Sequence, residues 1–333
     1  MSPRLSKSAW PLALVALAGV LRLWALGREG LWVDEAYTSG LIQGSLGTIV
    51  ARLKLDDAPP FFYFLEKAVV PLFGGSEFAL RLLPALAGTA LVFVLGAIAR
   101  RVSDRAALLA MALGAGSALL LFHARQARSY SLLQLESAGL LLLATSTSMT
   151  RGRALGIAAL ALATLYTHNL GVWPVIATAL VLSPRLRGPA RREVIATGAI
   201  VLLGALPWFL RIGTQLGVHR DLNAWMARYW DHRPLALAPL YSLFAFVNGG
   251  ATATHAPLFL GGGGKDLWAT ILLAAAVGAA FAVGVAEAWR GADQARGSAR
   301  TALAFLLTPL LGLLAATLLT GPAYVLGRTD STA

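Results

Sequence analysis

Apolar residues run along this chain in blocks of 14 to 22, separated by short polar stretches rich in arginine. A helix needs roughly 20 apolar residues to cross the hydrocarbon core of a bilayer. The blocks predict spans over 10–26, 78–99, 106–123, 129–148, 154–168, 170–183, 194–211, 267–288 and 301–320. Two further segments, 61–73 and 234–250, are apolar but short or broken. They read as re-entrant, interfacial or short spanning helices. His168-Asn169-Leu170-Gly171 predicts a tight turn between two short spans. Ser183-Pro184 ends the next run, because a residue before proline leaves the α region.

Arginine placement tests the count. With the N-terminus and its Arg4 and Lys7 in the cytoplasm, and 61–73 and 234–250 not spanning, four basic clusters fall on one side. These are Arg100, Arg101 and Arg105; Arg151 and Arg153; Arg185, Arg187, Arg191 and Arg192; and Arg290, Arg296 and Arg300. That is what the positive-inside rule asks. The opposite side receives Asp34, Glu35, Asp56, Asp57, Glu66, Glu77, Asp221, Asp231 and Asp266. Counting 61–73 as a span would invert every later cluster. The reading is an all-α, polytopic helical membrane protein of about nine spans in one transmembrane domain, 1–333. It has outer-face interfacial helices and two outer segments, 27–77 and 212–266.

Composition agrees. Of 333 residues 57% are hydrophobic and 13% charged, and the mean hydropathy is +0.68. A soluble domain does not look like this. The net charge of +12 lies in loops between apolar blocks, so it points to topology rather than to nucleic acid. There is no cysteine, which excludes disulfides and thiolate metal sites. Met1 to Leu26 resembles a signal peptide, but no small-residue cleavage site precedes Arg28, so it reads as a retained first span. The expected location is the cell (inner) membrane. The four glycines 261–264 are followed by Lys265-Asp266, not by the Lys-Ser/Thr of a phosphate loop.

Chemistry gathers on the outer side. Asp34 and Glu35 follow the first span, in Leu31-Trp32-Val33-Asp34-Glu35-Ala36-Tyr37-Thr38. On a helix they point about 100° apart and cannot serve one small site together. One should face a cavity and the other a backbone or basic partner. Asp56-Asp57 precede Ala58-Pro59-Pro60 and an aromatic run, Phe61 to Phe64, suited to an interface or a lipid-chain groove. The alternative is a plain turn before an interfacial helix. Four carboxylates on one face can bind a divalent cation or supply a general base. In His123-Ala124-Arg125-Gln126-Ala127-Arg128-Ser129-Tyr130 the arginines are one helical turn apart, suited to a phosphate. Pairing with the outer acids competes with that reading. Arg22, Glu136 and His168 fall within spans, where a charged residue costs about 2.5–3.5 kcal/mol and should face inward. Trp225 to Arg233 mixes aromatics with charge, as an interfacial helix or a sugar platform.

These motifs in this order resemble the lipid-phosphate-sugar glycosyltransferases of the GT-C superfamily. More narrowly they resemble the protein O-mannosyltransferase and aminoarabinose transferase group. Arg22-Leu23 and Leu31 to Thr38 carry the first match. Asp56 to Tyr63 resembles Asp-x-His-Pro-Pro-Leu-Tyr-Tyr. Ser76 to Leu86 resembles Ser-Glu-Phe-Ala-Leu-Arg-Leu-Pro-Ser-Ala-Leu, and Arg125 to Tyr130 resembles Arg-Glu-x-Arg-x-Tyr. The resemblance implies sugar transfer from a polyprenyl-phosphate donor to a lipid, glycan or protein acceptor on the outer face, inverting the anomeric centre. Asp34 becomes the catalytic base, with Glu35 in support. Asp56, Asp57, Arg81, Arg125, Arg128, Tyr130 and His168 become substrate-binding candidates. A divalent cation, where one is used, falls to Asp34 and Asp57.

Ala58 and Gln126 replace the family's usual His and Glu. Gly321 to Arg328 resembles an outer-face Pro-x-x-x-x-Arg-Tyr segment that more spans normally follow, whereas this chain stops at Ala333. A short member and a truncated one both fit. Two other classes compete with the enzyme. A transporter or flippase of lipid-linked sugar puts ionisable residues at the midplane and often repeats its halves; neither is visible here. An inactive relative serving as a lipid-binding subunit fits the departures from the motifs.

Overall fold

The computed structural model describes residues 9–53, 58–146, 148–213 and 293–320, with isolated positions between 238 and 290. Asp56, Asp57, most of the segment 212–266, most of the span 267–288 and Gly321 to Arg328 lie outside the described residues. The described residues are helical and contain no strand. The helices are α1 (Ala9–Leu23), α2 (Val33–Ile42), α3 (Leu46–Arg52), α4 (Phe61–Phe73), α5 (Glu77–Ala99) and α6 (Asp104–Gly116). They continue as α7 (Ala118–Ala124), α8 (Tyr130–Ala144), α9 (Arg151–Thr167), α10 (Val172–Leu182), α11 (Arg191–Gly213) and α12 (Asp293–Thr320). Among the described residues four helical stretches are long and apolar enough to cross a membrane, or five if one bent pair counts as a span. Two shorter apolar helices, α1 and α8, accompany them.

Local sequence explains the boundaries. Ser45, Ser76, Ser103, Ser117 and Thr150 each accept a backbone N–H of the first turn of the helix they precede, the usual N-cap bond. The predicted turn after α9 is a 3-10 turn over Asn169–Gly171, capped by the His168 side chain. Gly171 is required there, because a Cβ would lie 2.3 Å from the Thr164 carbonyl oxygen. The predicted span 106–123 is not straight. It breaks at Ser117 into α6 and α7, bent by 58°. The serine caps α7 and so stops α6, although the apolar run continues through it.

The helix α5 organises the bundle, packing on α1, α4, α6, α7 and α8. At about 1.5 Å per residue its 23 residues span roughly 34 Å, the thickness of a bilayer core. Gly88 marks its closest crossing. A Cβ there would stand 2.6 Å from Ala124 Cβ, 2.9 Å from Ser131 Oγ and 3.0 Å from Arg22 Nε. Small residues permit such crossings in membrane bundles. Gly88→Ala is expected to cost about 1–3 kcal/mol by overpacking, read as a lowered unfolding midpoint in detergent.

The described residues between α1 and α5 are folded onto this bundle. At 13 residues α4 is about 20 Å long, too short to cross. Phe62 and Tyr63 are buried in a core cluster with Leu41, Ile49, Leu80 and Leu132. Half of the aromatic run read as suited to an interface or a lipid-chain groove is therefore core.

Candidate active site at one end of the bundle

The chain reverses after α1 through Ala25, a non-glycine residue at φ 53°. The turn leaves carbonyls at the negative end of the helix dipole, where cations are favoured. Two arginines meet them. Arg125 Nη1 donates to the carbonyls of Leu21, Arg22 and Trp24, the last at 2.7 Å. Arg81, one turn into α5, donates through Nη1 to Leu26 and Glu29 and through Nη2 to Gly30.

Glu35 completes the arrangement. It is fully buried, and Arg81 pairs with it through two bonds, Nε to Oε1 at 2.8 Å and Nη2 to Oε2 at 2.6 Å. Such a bidentate pair is both strong and directional. The Ala127 amide donates to the same Oε1 at 2.8 Å, and the Trp32 amide reaches Oε2 at 3.4 Å. One carboxylate thus joins the segment between α1 and α5, the start of α5 and the loop before α8.

Asp34 stands on the other side of α2. It is half-buried where Glu35 is wholly buried, the divergence expected of adjacent helical residues. Arg125 and Arg128 are not on one helical face. Arg125 caps the end of α7, and 125–129 is a turn before α8. The Ala127 amide is turned toward Glu35, and the Arg128 amide donates to the Gln126 carbonyl. A continuing helix would use neither bond. Tyr130 sits between two imidazoles, with ring centroids 5.0 Å from His123 and 5.4 Å from His168. His168 Nδ1 accepts the Leu170 amide at 3.1 Å.

Sequence reasoning missed two neighbours on α4. Lys67 donates to the Ile42 carbonyl at 3.1 Å and lines a cavity of about 250 Å³ with Ser39, Gln43 and Leu80. Glu66, read from sequence as an outer-face acid, is fully buried. Neither carboxylate oxygen has a hydrogen-bond partner among the described residues. Desolvation raises its pKa to about 9. The available signal was its place beside Phe62 and Tyr63 on a helix that must bury one face. A group that holds its proton more tightly when folded stabilises the protein below its unfolded pKa. That stability is lost as pH rises toward 9. Glu66→Gln is expected to flatten the decline of the unfolding midpoint between pH 5 and about 9.

Among the described residues no group of three or more His, Asp or Glu side chains is arranged to hold a metal. Of the suggested cation ligands, Asp57 lies outside the described residues.

The geometry thus brings three of the four motifs to one end of the bundle. Residues 57–210 match a protein family described as dolichyl-phosphate-mannose-protein mannosyltransferase. Neither a curated protein nor a solved structure matches the chain. The matched stretch holds Arg81, Arg125, Arg128, Tyr130 and His168, and begins after Asp34 and Glu35. With its long apolar helices the chain is a multi-pass membrane protein. Over residues 57–210 it is similar to the dolichyl-phosphate-mannose-protein mannosyltransferase family.

Proposed function

We propose that the protein transfers a sugar from a polyprenyl-phosphate donor to an acceptor on the outer face of the membrane. The observation that carries this is the Glu35 junction. It ties the loop of Arg125 and Arg128 to the segment holding Asp34, through the Ala127 amide and Arg81. A base candidate and cationic side chains thereby share one end of the bundle.

In this reading Asp34 Oδ takes the proton of the acceptor hydroxyl or amine as that atom attacks the anomeric carbon. The bond from the anomeric carbon to the phosphate oxygen breaks, and the electron pair leaves with the lipid phosphate. Attack from the far face inverts the centre. Arg125, Arg128 and Lys67 supply positive charge for the leaving phosphate. Glu35 and Arg81 position the others, their polar atoms being taken up by each other and by backbone.

The test incubates the purified full-length protein in lipid nanodiscs with polyprenyl-phosphate sugars, and a deletion strain is profiled for lipids in parallel. The expected results are acceptor-dependent release of polyprenyl phosphate and accumulation of the donor in the strain. Movement of the donor across the bilayer with no cleavage of its phosphate–sugar bond would overturn the reading in favour of a flippase.

A further inference from the structure

The opposite end of the bundle carries a second constellation that sugar transfer does not use. A cavity of about 470 Å³ opens between the ends of α8 and α10 and the start of α12. Arg101, Arg185 and Arg300 line it together with Ser146, Leu180 and Val181. Arg101 lies 20 residues after Arg81, roughly 30 Å away along α5. The three arginines come from three of the basic loops that the sequence assigns to the cytoplasm. The fourth loop contributes Arg153, whose charge acts on both Arg101 and Arg185.

Among the described residues no acid lines the cavity with these arginines. Ion pairs form elsewhere, at Arg81–Glu35 and Arg100–Asp104. Arg101 Nη2 donates to the Leu142 carbonyl at 2.7 Å, and Arg185 Nη2 donates to Ala144 at 3.1 Å and Ser146 at 2.5 Å. Those carbonyls end α8, whose dipole supplies roughly half a negative charge. Three guanidiniums around a half charge leave an excess of more than two positive charges. Arg101 Nη1 has no acceptor among the described residues. Burial, and then the charge of Arg153, lower the affinity of Arg101 for its proton. Among the described residues the cavity thus presents positive charge that no lining acid balances.

We infer that this cavity seats the phosphate of an anionic membrane phospholipid, with the guanidiniums of Arg101, Arg185 and Arg300 around the headgroup. Two observations favour a lipid over a dissolved anion. The cavity lies where the apolar stretch Asn169–Arg187 ends, which is headgroup depth. Leu180, 55% exposed, lines the same cavity and offers a surface along which an acyl chain can run. Basic pockets between helix ends recognise phospholipid headgroups in this way.

The experiment is native mass spectrometry of the full-length protein released from detergent with phosphatidylglycerol or with phosphatidylcholine of the same chains. Wild type is expected to retain the anionic lipid preferentially. Arg300 stacks over Trp289 and holds no backbone carbonyl among the described residues, so Arg300→Gln leaves the helix ends intact. It is expected to weaken retention about fivefold, the worth of one cation near a membrane surface. Arg101→Gln with Arg300→Gln is expected to weaken it about 25-fold on the same scale. Equal retention of the two lipids, or unchanged retention in Arg300→Gln, would overturn the inference. Displacement of the bound lipid by millimolar inorganic phosphate would overturn its lipid source.

Discussion

Replacing Arg81 with methionine is expected to lower stability by about 3–5 kcal/mol, the range for stranding one member of a buried ion pair. Glu35 is fully buried and Arg81 is 5% exposed, so neither charge can turn to water when the other is removed. The loss reaches beyond the pair. Arg81 also satisfies the carbonyls of Leu26, Glu29 and Gly30, and Glu35 satisfies the Ala127 amide. A buried polar group left without its partner costs about 1–3 kcal/mol. Arg81→Met with Glu35→Met removes both charges but leaves those backbone groups unpaired, so it is expected to recover only part of the stability. Unfolding in mixed detergent, followed by helical circular dichroism, reads both variants. Full recovery in the double variant would mean that the junction is a simple pair rather than the point where three segments are fastened.

Much of this fold was legible in the sequence because lipid imposes a coarse rule: a spanning helix is an apolar run of a certain length. The runs around α5, α10 and α11 gave helices near their expected bounds. Arg101, Arg185 and Arg300, from three loops that the positive-inside count puts on one side, line one cavity. The failures share a cause. The break at Ser117 lies in an apolar run, where hydropathy does not register a side-chain cap. Tertiary pairing is equally silent. Glu35 meets Arg81 across 46 residues and Ala127 across 92, and no spacing rule links them. The equal spacing of Arg125 and Arg128 suggested a helical face, but the intervening amide had been claimed by a distant carboxylate. Glu66 shows the same limit from the other side. A charge counted among outer-face acids is in the core, because α4 must bury the face beside Phe62.

The adjacent carboxylates of α2 are expected to separate under mutation. Asp34→Asn should lower transfer by about 10²–10⁴-fold, the usual contribution of a general base, while its unfolding midpoint stays within error of wild type. The asparagine keeps the size and turn preference of the aspartate. The backbone bond at this position, from the Thr38 hydroxyl to the Asp34 carbonyl, is untouched. Glu35→Gln should behave in the opposite sense. Its amide places N–H groups where Arg81 and Ala127 both donate, so the folded state suffers first and activity falls with the amount of folded protein. The discriminating measurement is transfer rate per folded molecule. For Glu35→Gln that ratio stays near wild type as long as the junction survives. For Asp34→Asn it falls while donor affinity is unchanged, because the proton acceptor is removed and the cations around the phosphate are not. Unchanged turnover in Asp34→Asn would move the base elsewhere. Asp57, the first residue of the family match, is then the next carboxylate to test.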